Sequence, residues 1–125
     1  MKQWLSLVLV LLGTAAPAQI DQPTVDGVGA ILRTLDRING QVQDYDVAVG
    51  SSIEHAKITL TVNECRYPSN ALNSDAFVHL LISSNLSEAT LFEGWMIASS
   101  PALSAMEHPR YDVWVLRCIA APSVE

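Results

Sequence analysis

Basic residues are scarce: seven Lys and Arg stand against thirteen Asp and Glu, for a formal net charge of −6. Those after Lys2 are scattered singly, so neither a phosphate-tracking groove nor an anionic-lipid patch can be drawn, and nucleic acid is not expected as a partner. Cysteine is scarcer still, with only Cys65 and Cys118. Two sulfurs with no nearby histidine fall short of a zinc site. The chain has no Gly-x-Ser-x-Gly elbow, internal repeat or low-complexity tract, and its longest apolar run is about half of the ~20 residues a spanning helix needs. With 125 residues there is room for one domain and not two.

That apolar run sits at the start of the chain. Lys2 supplies a positive first region, Trp4 to Leu12 an apolar stretch interrupted only by Ser6, and Ala16-Pro17-Ala18 a small-x-small cleavage pattern. These features predict a signal peptide over residues 1–18, a mature chain that begins at Gln19 with no membrane span, and delivery to the periplasm. No cysteine follows the apolar stretch, which argues against a lipid anchor. In an exported chain Cys65 and Cys118 invite a disulfide, the competing state being two buried free thiols. The bridge would close a loop of about 54 residues, worth roughly 4 kcal/mol in the chain-entropy view.

From Gln19 onward the patterning is that of strands. Residues 19–29 hold Pro23, Gly27 and Gly29 among polar neighbours and read as a flexible arm. Residues 31–38 fit helical spacing as well as a strand, but Asn39-Gly40 is the strongest two-residue hairpin signal, so 31–38 and 41–49 are read as hairpin arms joined by a type I′ turn. Gly50 to Ser52 is a turn. Ile58, Leu60 and Val62 alternate with Thr59, Thr61 and Asn63 in the cleanest strand of the chain. Strict alternation then turns Cys65 outward, so either a bulge intervenes or the bridge lies at a sheet edge. Residues 66–74 read as a loop, and Phe77 to Ile82 and Leu91 to Ala98 as strands, the second bent at Gly94. Ser100-Pro101 is a helix start, with Ser100 as the cap, and Pro109 stops the helix near Glu107. Tyr111 to Cys118, apolar on both faces, reads as a central strand, and residues 120–125 as a tail. The expected fold is all-β: a small antiparallel sandwich or part-closed barrel of about six strands with one short helix.

The segment from Gly94 through Trp95, Pro101, Met106, His108, Tyr111 and Trp114 to Cys118 resembles the signature of the DUF2155 family, exported proteins of alphaproteobacteria. Leu35 to Gly40, Val47 to Gly50 and Ile58 to Cys65 agree with it, and the likeness covers residues 30–118. The resemblance implies a periplasmic address and paired cysteines, and it supplies no catalytic residue. It further implies an envelope or respiratory setting, through an association of such genes with those for an accessory subunit of the respiratory NADH dehydrogenase.

Three constellations could carry chemistry. Ser99 or Ser100 with His108 and Asp112 supplies the residue types of a hydrolase triad, yet Ser100 is assigned to a cap and His108 to a helix stop. His55, His79 and His108 with Glu54 and Glu107 could ligate a metal, but they lie on separate elements, and His79 reads better as a hydrogen-bonded strand histidine; no metal or cofactor is expected. Trp95, Met96, Tyr111 and Trp114 are core or recognition residues, with core favoured for the two tryptophans. Leu103, Met106 and Tyr111 around the short helix form the candidate interaction surface. The expected function is non-enzymatic: a module that binds an unidentified envelope protein or stabilises a complex. The alternative is a small-ligand-binding or hydrolytic domain using the cleft beside the helix at Ser100 and His108. An exposed apolar patch beside the helix favours the first, a concave pocket with convergent polar groups the second.

Overall fold

The computed structural model describes residues 23–122 together with Gly13. The expected signal peptide therefore lies, Gly13 apart, outside the described residues. Among these no helix is long and apolar enough to cross a membrane. The architecture is all-β, two antiparallel sheets packed face to face, with no closed barrel.

Among the described residues eight strands form the sheets, in chain order β1 (Thr24–Asp26), β2 (Gly29–Asp36), β3 (Val42–Ala48), β4 (Ser52–His55), β5 (Ile58–Pro68), β6 (Phe77–Ser84), β7 (Thr90–Ile97) and β8 (Tyr111–Ile119). One sheet has the order β1-β5-β6-β7, with β4 also on β5; the other has the order β3-β2-β8. Because β6 takes one edge of β5, β4 and β1 share the other, β4 beside Ile58–Thr61 and β1 beside Arg66–Pro68. Alternation decides what goes inside. Leu32 on β2, Leu60 and Val62 on β5, Val78, Leu80 and Ile82 on β6, and Val113 and Val115 on β8 fill the space between the sheets.

Several expectations change in detail. The hairpin of β2 and β3 exists, but its loop is not a two-residue type I′ turn. Asp36 N–H pairs with Gln41 C=O, and the intervening loop places only Gly40 at positive φ, +74°. Within the expected arm, Thr24–Asp26 form β1, and β5 runs three residues past Cys65 to Pro68 to meet it. The four residues of β4 join β5 through a tight turn in which Ala56 takes φ +50°. The expected central strand β8 is an edge strand, because β2 is the one paired on both sides. The expected helix reduces to a single 3-10 turn, Pro101–Leu103. The Ser100 side chain caps nothing, and Ser104 is already extended.

The cysteines show why strict alternation fails. Along β5 the register shifts between Val62 and Glu64, so Asn63 is an extra residue and Cys65 turns inward. Along β8 the shift makes Leu116 the extra residue, and Cys118 turns inward in the same way. One bulge thus lies two positions before each cysteine. The two meet in a disulfide between the sheets, with Cα atoms 5.7 Å apart. Beside it the chain crosses from β1 to β2 at Gly27, whose N–H bonds Cys65 C=O at 2.7 Å. A Cβ there would lie 2.9 Å from the Ile119 carbonyl oxygen and 3.1 Å from Cys118 Cβ, so only glycine fits without a backbone shift.

Candidate functional site

The start of β8 is where polar groups and unfilled space gather. Tyr111 is 1 % exposed and plugs the end of the sandwich. His55, at the end of β4, meets its ring edge to face at 5.8 Å, and His108 stacks on it at 5.3 Å. The Arg110 guanidinium carbon lies 5.1 Å from the ring centroid. The Lys57 N–H donates to the Tyr111 hydroxyl at 3.4 Å.

Beside Tyr111 lies a partly buried ion pair. Asp36, 4 % exposed, accepts from Arg110 Nη2 at 3.0 Å and from the Ile38 N–H at 2.9 Å. The Arg110 hydrogen bonds, reinforced by that backbone N–H and opposed by burial, hold the Asp36 carboxyl below its usual range. His55 Nδ1 lies 2.6 Å from the Tyr45 hydroxyl, while its Nε2 is buried with no hydrogen-bond partner among the described residues. Burial pushes His55 downward, against a smaller upward pull from Asp36.

These two groups dominate the expected acid response, with a smaller, solvent-screened share from Asp44, whose carboxyl the Arg33 hydrogen bonds also hold low. An unfolded histidine takes up a proton near pH 6.5, whereas folded His55 resists it, so stability is greatest above that pH and declines below it. Asp36 adds stability that is present above its unfolded value of about 3.8 and lost as pH falls through its lower folded value. Urea midpoints measured from pH 8 to pH 3 are expected to fall in two stages. His55→Gln should flatten the first and leave the second in place.

The residues proposed for chemistry are only partly brought together. Ser99 Oγ donates to Asp75 Oδ2 at 2.8 Å, and no hydrogen bond joins Ser99 or Ser100 to His108 among the described residues. His108 Nδ1 accepts the N–H groups of Arg110 and Tyr111, each at 3.1 Å, and Asp112 pairs with Arg37. Among the described residues no three His, Cys, Asp or Glu side chains stand close enough to hold a metal. His79 sits on the outer face, 3.0 Å from Asn63 Nδ2 and edge to face with Trp95.

The expected surface trio also separates. Leu103 is 77 % exposed, but Met106 at 5 % and Tyr111 belong to the core. The 3-10 turn ends at Leu103, and the extended chain beyond it carries Met106 inward. Trp95 points outward, 40 % exposed, since its neighbour Met96 takes the inward position opposite Val78. Trp114 lies half-buried on the outer face of β8.

Two clefts flank β8. One, of about 260 Å³, lies between the 101–106 segment and the strand, lined by Pro101, Ala102, Ala105, Met106, Val113 and Trp114, with Asp112 as its one charged group. The other, of about 290 Å³, is lined by Lys57, His108, Arg110 and Tyr111 together with residues of the β6–β7 turn. Sequence reasoning did not find Asp36, Tyr45, Lys57, Ala102 or Arg110. Asp36 and Arg110 are 74 positions apart, and no local spacing announces such a pair.

Comparison with known proteins gives a family and no activity. A family model described as "Uncharacterized protein conserved in bacteria (DUF2155)" matches residues 30–118. The chain is similar to an uncharacterized protein of Rickettsia prowazekii (strain Madrid E), 25 % identical over 87 residues that cover 67 % of this chain. Those residues span 56 % of that protein's length. No solved structure matches the chain.

Proposed function

The chain belongs to the DUF2155 family, and we propose that it is a non-enzymatic, exported module of the bacterial envelope that holds a protein partner. The apolar cleft between the 101–106 segment and β8 carries this reading. Its walls are almost wholly apolar, its one charged group, Asp112, is neutralised by Arg37, and Leu103 stands exposed on the adjoining turn. Such a lining offers no convergent polar groups for a small ligand or a reaction. It suits an apolar side chain presented by a protein, with Trp114 and Leu103 as contact area around it.

The signal-peptide pattern over residues 1–18 and the inter-sheet disulfide support export, because such bridges persist in oxidising compartments such as the periplasm. The experiment introduces a charge into the cleft without disturbing the core. Ala102 is exposed, so Ala102→Glu should leave the unfolding midpoint unchanged and abolish association with the partner in envelope extracts. Asp46→Lys, on exposed β3, should abolish neither. Retained association in a folded Ala102→Glu protein would remove this cleft from the account.

A further inference from the structure

The second cleft is distinct in chemistry from the first. It is bounded by Lys57 and Ile58 after β4, the β6–β7 turn at Ser84, Leu86 and Ser87, Leu91 on β7, and His108, Arg110 and Tyr111. Its accessible apolar surface is exposed Leu86 and partly buried Leu91, backed by Ile58 and Tyr111, which are each 1 % exposed. Every side chain that can contribute a polar contact offers a donor. Lys57 makes no salt bridge among the described residues, in contrast to Arg33, Arg37, Arg66 and Arg110. Arg110 spends Nε and Nη2 on Asp36, and its Nη1 has no hydrogen-bond partner among the described residues. His108 Nδ1 accepts two backbone N–H groups, so a neutral ring carries its proton on Nε2 and can donate it. Ser84 Oγ accepts from the Leu86 N–H, which leaves its own proton free.

No Asp or Glu lines this cleft, although acids outnumber bases nearly two to one in the chain. A wall of donors beside apolar surface, in a space near the lower bound for small-molecule sites, selects a compact anion attached to an apolar body. Inorganic anions would leave Leu86 and Leu91 uncovered, and neutral apolar molecules would leave the donors unpaired. We propose that the cleft bounded by Lys57, Ser84, His108 and Arg110 binds a small organic carboxylate, with its carboxylate toward Lys57 and Arg110 and its apolar body on Leu86 and Leu91. This site shares no lining residue with the protein-docking cleft.

The test uses the folded, disulfide-bonded chain labelled with ¹⁵N and titrated separately with hexanoate, hexan-1-ol and inorganic phosphate. Hexanoate should produce saturable shifts at the amides of Lys57, Ser87, Leu91 and Arg110, and the other two probes should bind at least about tenfold more weakly. Exposed Lys57 can be changed without touching the core: Lys57→Gln should weaken hexanoate about fivefold or more while leaving the thermal midpoint in place. Arg110 is unsuitable for this purpose because its loss would strand buried Asp36. The proposal is overturned by the absence of saturable shifts with hexanoate, by hexan-1-ol or phosphate binding equally well, or by unchanged affinity in folded Lys57→Gln.

Discussion

Reduction of the Cys65–Cys118 bridge is expected to lower the free energy of unfolding by about 4 kcal/mol. The magnitude follows from topology. The cysteines are separated by 53 positions and join β5 of one sheet to β8 of the other, so the cross-link removes a large closed loop from the unfolded ensemble. A domain of this size has only ~5–15 kcal/mol in total, so the loss is a large fraction of the whole. Urea unfolding of oxidised and reduced protein measures it, and Cys65→Ala with Cys118→Ala should reproduce the reduced curve. Coincident curves would show that the sandwich holds its sheets together without the bridge.

The second large effect separates residues that lie within nine positions of each other. Tyr111→Ala is expected to cost about 3–5 kcal/mol and Met106→Ala about 2–5 kcal/mol, because each opens a cavity in packed core. Tyr111 has the further role of placing His55, His108 and Arg110, so its removal should also erase the first stage of the acid response. Leu103→Ala should change stability by no more than about 0.5 kcal/mol, since that side chain is almost wholly in solvent. Equilibrium unfolding of the three variants distinguishes them. A large loss from Leu103→Ala would mean that this turn is packed in solution, and the apolar surface around the cleft would shrink accordingly.

That separation also shows where local patterns stop being informative. Period-two alternation is a property of paired backbone, so Ile58, Leu60 and Val62 announced β5, and Asn39-Gly40 announced the β2–β3 hairpin. A bulge carries no obligatory residue type, and nothing in Asn63 or Leu116 marks them as the extra residues that turn both cysteines inward. Ser100-Pro101 promised a helix because the same residues open α-helices and 3-10 turns alike. The turn stops at Leu103, Ser104 is extended, and Met106 lies in the core, a placement that the local residues do not announce. β4 escaped notice because Ser52–His55 is too short for alternation to show. The apolar stripe on both faces of β8 suggested a central strand, whereas its outer residues Trp114 and Leu116 lie on an edge strand whose free side borders the candidate cleft.

Within the candidate site, individual residues were legible and their company was not. Tyr111, Met106 and His108 were picked out as notable from type and neighbours alone. Their division between core, stacking and cleft depends on contacts from β2, β4 and the β2–β3 loop, distant in sequence. Asp36 illustrates the point: a loop-edge carboxylate by position, it is buried because Arg110 and the Ile38 N–H meet it there.

The docking account is tested most directly by photo-crosslinking in the intact envelope, with a photoreactive amino acid placed at position 102 in one strain and position 46 in another. The first site faces the apolar cleft beside β8, and the second lies on the exposed face of β3. The account predicts one discrete heavier adduct from position 102, lost when Leu103→Asp is introduced alongside, and none from position 46. Equal adducts from the two positions, or none from 102 in folded and exported protein, would contradict it.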